Sequence, residues 1–267
     1  MALLKKKKEP AYEEIPSLIG NGDDYHVYRM TSQDRIIAFL IGGGGGAGVA
    51  WIFFNSILVS IVMALVIGYV AQSVYREYKL EKRKKQLLLQ FKDLLEALTS
   101  SYSAGKNTLD AFTDAANDMA QIYGEEADIV KELVIIVGGM QNNLNIEALL
   151  VNFAQRSGLD DVQNFADVFR VALRQGANIK DIIASTRDII GDKIEIEMEI
   201  NTMMAGNKNE LNIMMIMPLV IIVSLGGMGG GMSASDNSPV NLLVKIIALG
   251  MFGLAYYLGK KFTKIEI

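Results

Sequence analysis

The sequence predicts an all-α integral membrane protein with four transmembrane helices and a cytoplasmic, antiparallel bundle of six helices. Two observations carry this prediction. Hydrophobic residues make up 51% of the 267-residue chain, more than in an ordinary soluble domain, and they concentrate in four long apolar stretches. Between the second and third stretches, in residues 76–210, apolar residues recur at i, i+3, i+4 and i+7, which is the spacing of amphipathic helices.

The first 35 residues are predicted to form a cytoplasmic segment. A basic run, Lys5–Lys8, is followed by polar sequence and not by the short apolar core of a secretory signal. The run therefore indicates a topology anchor at the cytoplasmic face of a membrane. The stretch "DDYHVYRM" (residues 23–30) leaves open whether the segment docks on the bundle or stays mobile. The chain's single histidine, His26, is more typical there of a solvated residue than of a ligand or a catalyst.

Two membrane hairpins are predicted on either side of the bundle. Residues 36–75 contain two apolar stretches of about 19 residues, each long enough to cross about 30 Å of hydrocarbon as a helix. Residues 211–259 form the second hairpin around the polar loop "SASDNSP". Lysine and arginine occur before the first span and after the second and fourth, and neither short outer loop contains one. Both termini, the bundle and the tail (residues 260–267) are therefore expected in the cytoplasm of a multi-pass cell-membrane protein.

A glycine run, "GGGGGAG" (residues 42–48), lies inside the first predicted span. A phosphate-binding P-loop needs a lysine after its last glycine, and none follows this run. Small residues four positions apart, such as Gly42 and Gly46, instead let membrane helices approach closely. Pro218 is predicted to kink the third span. A second run, "GGMGGG" (residues 226–231), either ends that span or forms a mobile outer loop.

Six helices are predicted in the bundle, and their apolar stripes begin near Leu87, Leu109, Val130, Ile146, Val162 and Ile179. Three of the turns place an asparagine before the helix. Asn107, Asn145 and Asn178 are predicted N-cap residues, because an asparagine side chain can accept a hydrogen bond from an otherwise unpaired helix amide. Gly105 and Gly176 suit the ends of the preceding helices. Short connections between short helices are typical of antiparallel bundles.

The last helix of the bundle contains "KIEIEMEI" (residues 193–200), which alternates like a strand. A lone strand among helices would have no partner, so a helix that continues into the third span is predicted. Four acids share one face of that helix: Asp188, Asp192, Glu195 and Glu199. They are a candidate interface for a basic protein surface; a solvated face and an unspecific divalent-cation site are the open alternatives. Because the bundle is acidic, nucleic acid is not an expected partner.

No catalytic, cofactor-binding or metal-ligating residue is predicted. The chain contains no cysteine, which excludes disulfides and cysteine-based sites, and one histidine cannot form a multi-histidine metal site. The predicted spans lack Asp, Glu and His, which proton and ion relays use. The chain is therefore expected not to be an enzyme. The alternatives are a membrane transporter or channel component, and an enzyme with a carboxylate site on the last cytoplasmic helix.

Roughly residues 80–220 resemble a known family. "QFKDLLEALTSSYSAGKNTLDAF", "NIEALLVNFAQRSG" and "NFADVFRVALRQGANIKDII" look like the F domain of type II secretion systems. "DKIEIEMEINTMMAGNKNELNIMMIMP" is similar to the closing segment of TadB-like proteins of tight-adherence (Tad/Flp) pili.

This resemblance implies an inner-membrane platform protein for pilus assembly or protein secretion. Such proteins contact a hexameric secretion ATPase and relay its motion to pilin. They assemble with themselves or with a paralogous platform protein. Longer relatives carry two F domains whereas one is visible here, so the source of a second copy stays open.

Overall fold

The computed structural model describes residues 14–54, 56–227 and 239–263. Within these residues it contains eight helices and no strand, which confirms the predicted all-helical class. The helices are α1 (Ser32–Phe54), α2 (Ile57–Ser103), α3 (Thr108–Tyr123), α4 (Asp128–Gln141), α5 (Ile146–Ser157), α6 (Asp160–Gln175), α7 (Ile179–Gly227) and α8 (Pro239–Thr263).

The chain divides into two compact units. The first, here called the core unit, comprises Met1–Arg29 and Glu77–Ile194. The second, here called the apolar unit, comprises Met30–Arg76 and Glu195–Ile267. Helices α2 and α7 each contribute residues to both units.

Two helices of the core unit, α3 and α5, begin at asparagine caps. The side chain of Asn107 accepts a hydrogen bond from the backbone N–H of Asp110 at 2.9 Å, and that of Asn145 accepts one from Glu147 N–H at 2.9 Å. Both contacts satisfy an amide that the helix itself leaves unpaired. Asn178 precedes α7, where its side-chain amide donates to the Asp181 carboxylate at 2.6 Å.

Glycines in the left-handed region end three of these helices. Gly176 has φ +65° and closes α6, with its N–H donating to the carbonyl of Ala172. Gly158 has φ +59° and closes α5, and Gly105, with φ +78°, follows the end of α2. Residues with a Cβ rarely adopt this conformation, so glycine at these positions allows the sharp helix exits.

One face of each helix builds the hydrophobic core of the core unit. Phe91 on α2 is 1% exposed, and its ring centroid lies 5.4 Å from that of Phe165 and 6.2 Å from that of Phe153. Burial of one such side chain contributes roughly 1.5–3 kcal/mol. The other large buried residues include Leu87, Leu95, Leu98, Phe112, Met119, Ile129, Leu133, Leu149, Val162, Phe169, Ile183 and Ile190.

Helix α7 is the longest helix, with 49 residues. It contains residues 193–200, so the helical interpretation of "KIEIEMEI" is confirmed. Pro218 lies inside this helix, and the kink expected there stays a prediction. Residues 228–231 of the second glycine run lie outside the described residues.

Among the described residues, two helices are long and apolar enough to cross a membrane, α1 and α2. These two helices indicate membrane association. The predicted third and fourth spans fall on α7 and α8, and α8 contains a shorter apolar run, Leu243–Gly259. Residues 233–238 of the polar loop and the basic run Lys5–Lys8 lie outside the described residues, and the count of four spans stays a prediction.

Small residues bring α1 close to the start of α2. A Cβ added to Gly46 would lie 2.7 Å from Ile67 Cδ1, and one added to Gly42 would overlap the methyl group of Ala71. Both positions fit the close helix packing predicted from the sequence. Gly43 contributes as well, because its Cβ would lie 3.1 Å from the Ala64 carbonyl oxygen.

Gly46→Leu is expected to destabilise the α1–α2 hairpin by about 1–3 kcal/mol, because the added side chain has to displace Ile67. Gly45→Leu is the matched control, since a Cβ added there meets no atom within 4 Å. The measurement is the fraction of monodisperse protein that remains after heating in detergent. Equal losses for the two variants would show that the glycine face does not hold the hairpin together.

Candidate functional site at the N-terminal segment

The N-terminal segment, residues 14–29, contains no helix or strand and packs on the helices of the core unit, of which it is a part. The backbone N–H of Tyr25 donates to the carbonyl of Arg156 at 2.9 Å. The side-chain amide of Asn152 donates to the carbonyl of Pro16 at 3.0 Å. These contacts show that the segment containing "DDYHVYRM" packs on the helices, which the sequence had left open.

A buried ion pair lies beneath this segment. Glu132 on α4 and Arg156 on α5 have side chains that are each 1% exposed. The guanidinium donates two hydrogen bonds to the carboxylate, one from Nη1 to Oε1 at 2.7 Å and one from Nη2 to Oε2. Arg156 Nε also donates to Asn152 Oδ1, one helical turn earlier, at 2.9 Å. The paired geometry offsets part of the large cost of removing both charges from water.

The N-terminal segment supplies further partners to this ion pair. The Tyr25 hydroxyl donates to Glu132 Oε1 at 3.1 Å, and Arg156 Nη1 donates to the carbonyl of Asp23 at 2.9 Å. Burial, reinforced by the charge of Glu132, raises the pKa of Tyr25 well above its usual range, so the hydroxyl stays a neutral donor. Burial also raises the pKa of Glu132, and the hydrogen bonds from Arg156 and Tyr25 oppose that shift.

Arg83 on α2 holds the other side of Tyr25. Its guanidinium donates to the Asp128 carboxylate at 2.9 and 2.6 Å and to the Asp23 carboxylate at 2.6 Å. Its Cζ lies 4.5 Å from the centroid of the Tyr25 ring, which is the geometry of a cation–π contact. The hydrogen bonds to Asp128 raise the pKa of Arg83 above the ordinary value of an arginine. The tyrosine therefore lies between a cation over its ring and a carboxylate at its hydroxyl.

His26 is less solvated than the sequence suggests. Its side chain is 31% exposed, and its Nδ1 lies 2.8 Å from Asp24 Oδ1. Asp24 also accepts hydrogen bonds from the backbone N–H groups of Ile15 and His26, at 2.8 and 2.9 Å. Lys84 approaches the same region, where its Nζ lies 3.4 Å from the Gly158 carbonyl and where burial lowers its pKa. Asp24 thus links Ile15, near the start of the segment, to His26.

The four acids of the candidate interface on α7 are all exposed: Asp188, Asp192, Glu195 and Glu199. Asp188 pairs with its neighbour Arg187 at 2.7 Å. Among the described residues, no group of three or more histidine, cysteine, aspartate or glutamate side chains could hold a metal ion. The exposure of the four acids on α7 leaves their carboxylates accessible to a partner and also fits a solvated face.

Sequence reasoning missed the Glu132–Arg156 pair, although the sequence contains a signal for it. Glu132 falls on the apolar stripe of α4, next to Leu133, and Arg156 falls three residues after Phe153 on the buried stripe of α5. Charged residues are almost never fully buried unless they are paired. Two opposite charges on the buried faces of successive helices therefore indicate an ion pair. The tyrosine partner, 107 residues away from Glu132, has no such signal.

No protein-family model, no curated protein and no solved structure matches this chain. The likeness to the type II secretion F domain accordingly rests on three sequence stretches, and the likeness to TadB-like proteins rests on a fourth.

Proposed function

We propose that this protein is an inner-membrane platform protein of a type IV-like (Tad/Flp) pilus or of a type II secretion machine. It relays the motion of a cytoplasmic secretion ATPase to pilin assembly and catalyses no reaction itself. The observation that supports the proposal most is the continuity of α2. The first part of this helix is apolar enough to cross a membrane, and its later residues, such as Phe91 and Leu98, lie in the core of the core unit.

The proposed architecture has four membrane spans and a six-helix F domain. The spans are α1, the start of α2, the end of α7 and α8; the F domain consists of the rest of α2, α3 to α6 and the start of α7. We propose that the F domain lies on the cytoplasmic side of the membrane. Six basic residues follow the second span and favour this orientation: Arg76, Lys79, Lys82, Arg83, Lys84 and Lys85. The positive-inside rule then places both termini in the cytoplasm.

The proposed partners follow from this role. The hexameric ATPase docks on the acidic face that contains Glu195 and Glu199, pilin contacts the membrane spans, and a paralogous platform protein or a second copy completes the assembly. The lipid bilayer surrounds the apolar helices, and nucleic acid is not a partner. The competing proposal is a transporter or channel component, which would use ionisable residues within its spans; residues 36–75 contain no Asp, Glu, His, Lys or Arg.

The first experiment is gentle extraction of the tagged chain from its native membrane, followed by identification of the proteins that come with it. Recovery of a hexameric ATPase together with pilin or a paralogous platform protein is the expected result. A homo-oligomer without any of these, under conditions that preserve other membrane complexes, would contradict the proposal. Solute movement by the purified chain in liposomes would favour the transporter alternative instead.

Charge reversal at Glu195 and Glu199, both to lysine, is expected to lower the amount of co-purified ATPase by about tenfold or more. The new lysines repel the basic surface that we propose as the docking partner. Asp118→Lys with Glu125→Lys is the matched control, because it makes the same change in net charge at two exposed positions of the core unit. Equal recovery of the ATPase with both double variants would place the docking surface elsewhere.

A further inference from the structure

We propose that the surface of α2, α4 and α5 beneath the N-terminal segment is a recognition site for a peptide with the sequence Gly-Asp-x-Tyr. In this chain the site is occupied in cis by Gly22, Asp23, Asp24 and Tyr25. The inference does not depend on the platform role, because it rests on the contacts of the core unit alone.

The site binds the peptide backbone through one residue. The Arg156 carbonyl accepts the Tyr25 N–H at 2.9 Å, and the Arg156 guanidinium donates to the Asp23 carbonyl at 2.9 Å. The segment contains no helix or strand, so its N–H and carbonyl groups are open to such contacts, which give affinity without selecting side chains.

Selectivity for aspartate and tyrosine comes from two charged residues. Arg83 donates to the Asp23 carboxylate at 2.6 Å, and the same guanidinium covers the Tyr25 ring. Glu132 accepts the Tyr25 hydroxyl at 3.1 Å. Because Tyr25 is 1% exposed, a phenylalanine at this position would leave a buried carboxylate oxygen with one partner fewer.

The glycine and the variable position of the motif have separate explanations. A Cβ at Gly22 would lie 2.5 Å from Arg156 Nη1 and 2.7 Å from Ser17 Cβ, so a larger residue would push the peptide off the guanidinium. Asp24 hydrogen-bonds to Ile15 and His26 within the segment itself. These two hydrogen bonds contribute to the shape of the segment.

The N-terminal segment makes few apolar contacts, so it can detach while the helices stay folded. Among the described residues of the segment, Tyr25 alone belongs to the buried hydrophobic core, and the other anchoring contacts named above are polar. Segments with few apolar contacts open locally at a lower free energy than the core around them. A tethered segment also has an effective concentration in the millimolar range, so an added peptide competes poorly with it until the tethered copy is weakened.

The test uses the full chain in detergent and a fluorescent synthetic peptide of residues 14–29. A chain with Asp23→Ala and Tyr25→Ala is expected to bind this peptide saturably, as measured by fluorescence anisotropy. The wild-type chain, whose site is filled, is expected to bind at least about tenfold more weakly. The same peptide carrying Tyr25→Ala is also expected to bind the double variant at least about tenfold more weakly.

A further variant separates recognition from folding. Addition of Arg83→Gln to the Asp23→Ala/Tyr25→Ala chain is expected to weaken peptide binding at least about tenfold while the helical circular dichroism stays unchanged. Loss of helical structure in the double variant itself, absence of binding, or equal binding of the wild-type and Tyr25→Ala peptides would each overturn the proposal. A halved molecular mass of the double variant would show that the segment occupies a second copy, which would overturn the assignment in cis.

Discussion

Arg156→Leu is expected to lower the free energy of unfolding by about 3–5 kcal/mol, because it leaves the buried carboxylate of Glu132 without its cation. The variant also lacks the hydrogen bond that Arg156 donates to the Asp23 carbonyl. The Tyr25 hydroxyl remains within reach of Glu132, but one neutral donor does not replace a guanidinium that makes two bonds. Urea unfolding in detergent, followed by circular dichroism, measures the loss.

The double variant Glu132→Leu/Arg156→Leu is the control that distinguishes a missing partner from a disturbed core. We expect it to be closer to the wild type than Arg156→Leu, because two apolar side chains of similar volume can replace a buried ion pair at little cost. A double-mutant cycle then gives a large coupling energy between the two positions. Losses that simply add would show that Glu132 and Arg156 do not act as a pair.

The single variant also has a predictable pH dependence. Burial already raises the pKa of Glu132 in the native protein, and removal of Arg156 takes away the main opposing influence. A carboxyl group whose folded-state pKa is raised makes the folded state bind protons more tightly than the unfolded state does. The stability of Arg156→Leu, relative to the wild type, is therefore expected to be greatest at low pH and to fall as the pH rises through the folded-state pKa of Glu132.

The positions of the helices in the core unit could be predicted from the sequence because local rules determine them. Apolar spacing locates the buried faces, and Asn107, Asn145 and Gly176 begin or end helices through contacts within a few residues. The helical state of "KIEIEMEI" was predictable for another reason. Its alternation also fits a helix, and a strand would have had no partner.

The site beneath the N-terminal segment could not be predicted in the same way. Periodicity shows that a residue faces the interior but not which distant residue meets it there. Tyr25 reaches Glu132 across 107 positions, and Arg83 reaches Asp128 across 45. These contacts depend on how α2, α4 and α5 meet, which no local pattern records. The exposed face with Glu195 could be predicted from spacing alone, but its partner could not.

Phe91→Ala is expected to lower the free energy of unfolding by about 3–5 kcal/mol, because it truncates a fully buried aromatic side chain. Phe91 is 1% exposed and contacts Phe165 edge-to-face, with an angle of 73° between the rings. It also lies near Phe153 on a different helix. Truncation therefore leaves a cavity where α2, α5 and α6 meet, and rigid neighbours from three helices cannot close it fully.

Two comparisons make this result interpretable. Phe91→Leu keeps most of the volume and is expected to cost clearly less than the alanine variant. Leu89→Ala, two residues earlier on the same helix, removes a side chain that is 46% exposed and is expected to change stability by about 0.5 kcal/mol at most. Urea unfolding of the three variants gives the ranking. A buried and an exposed position on one helix should differ in the free energy of unfolding that each loses on truncation. If Phe91→Ala unfolds at the same urea concentration as Leu89→Ala, the aromatic cluster therefore does not form the core of this unit in solution.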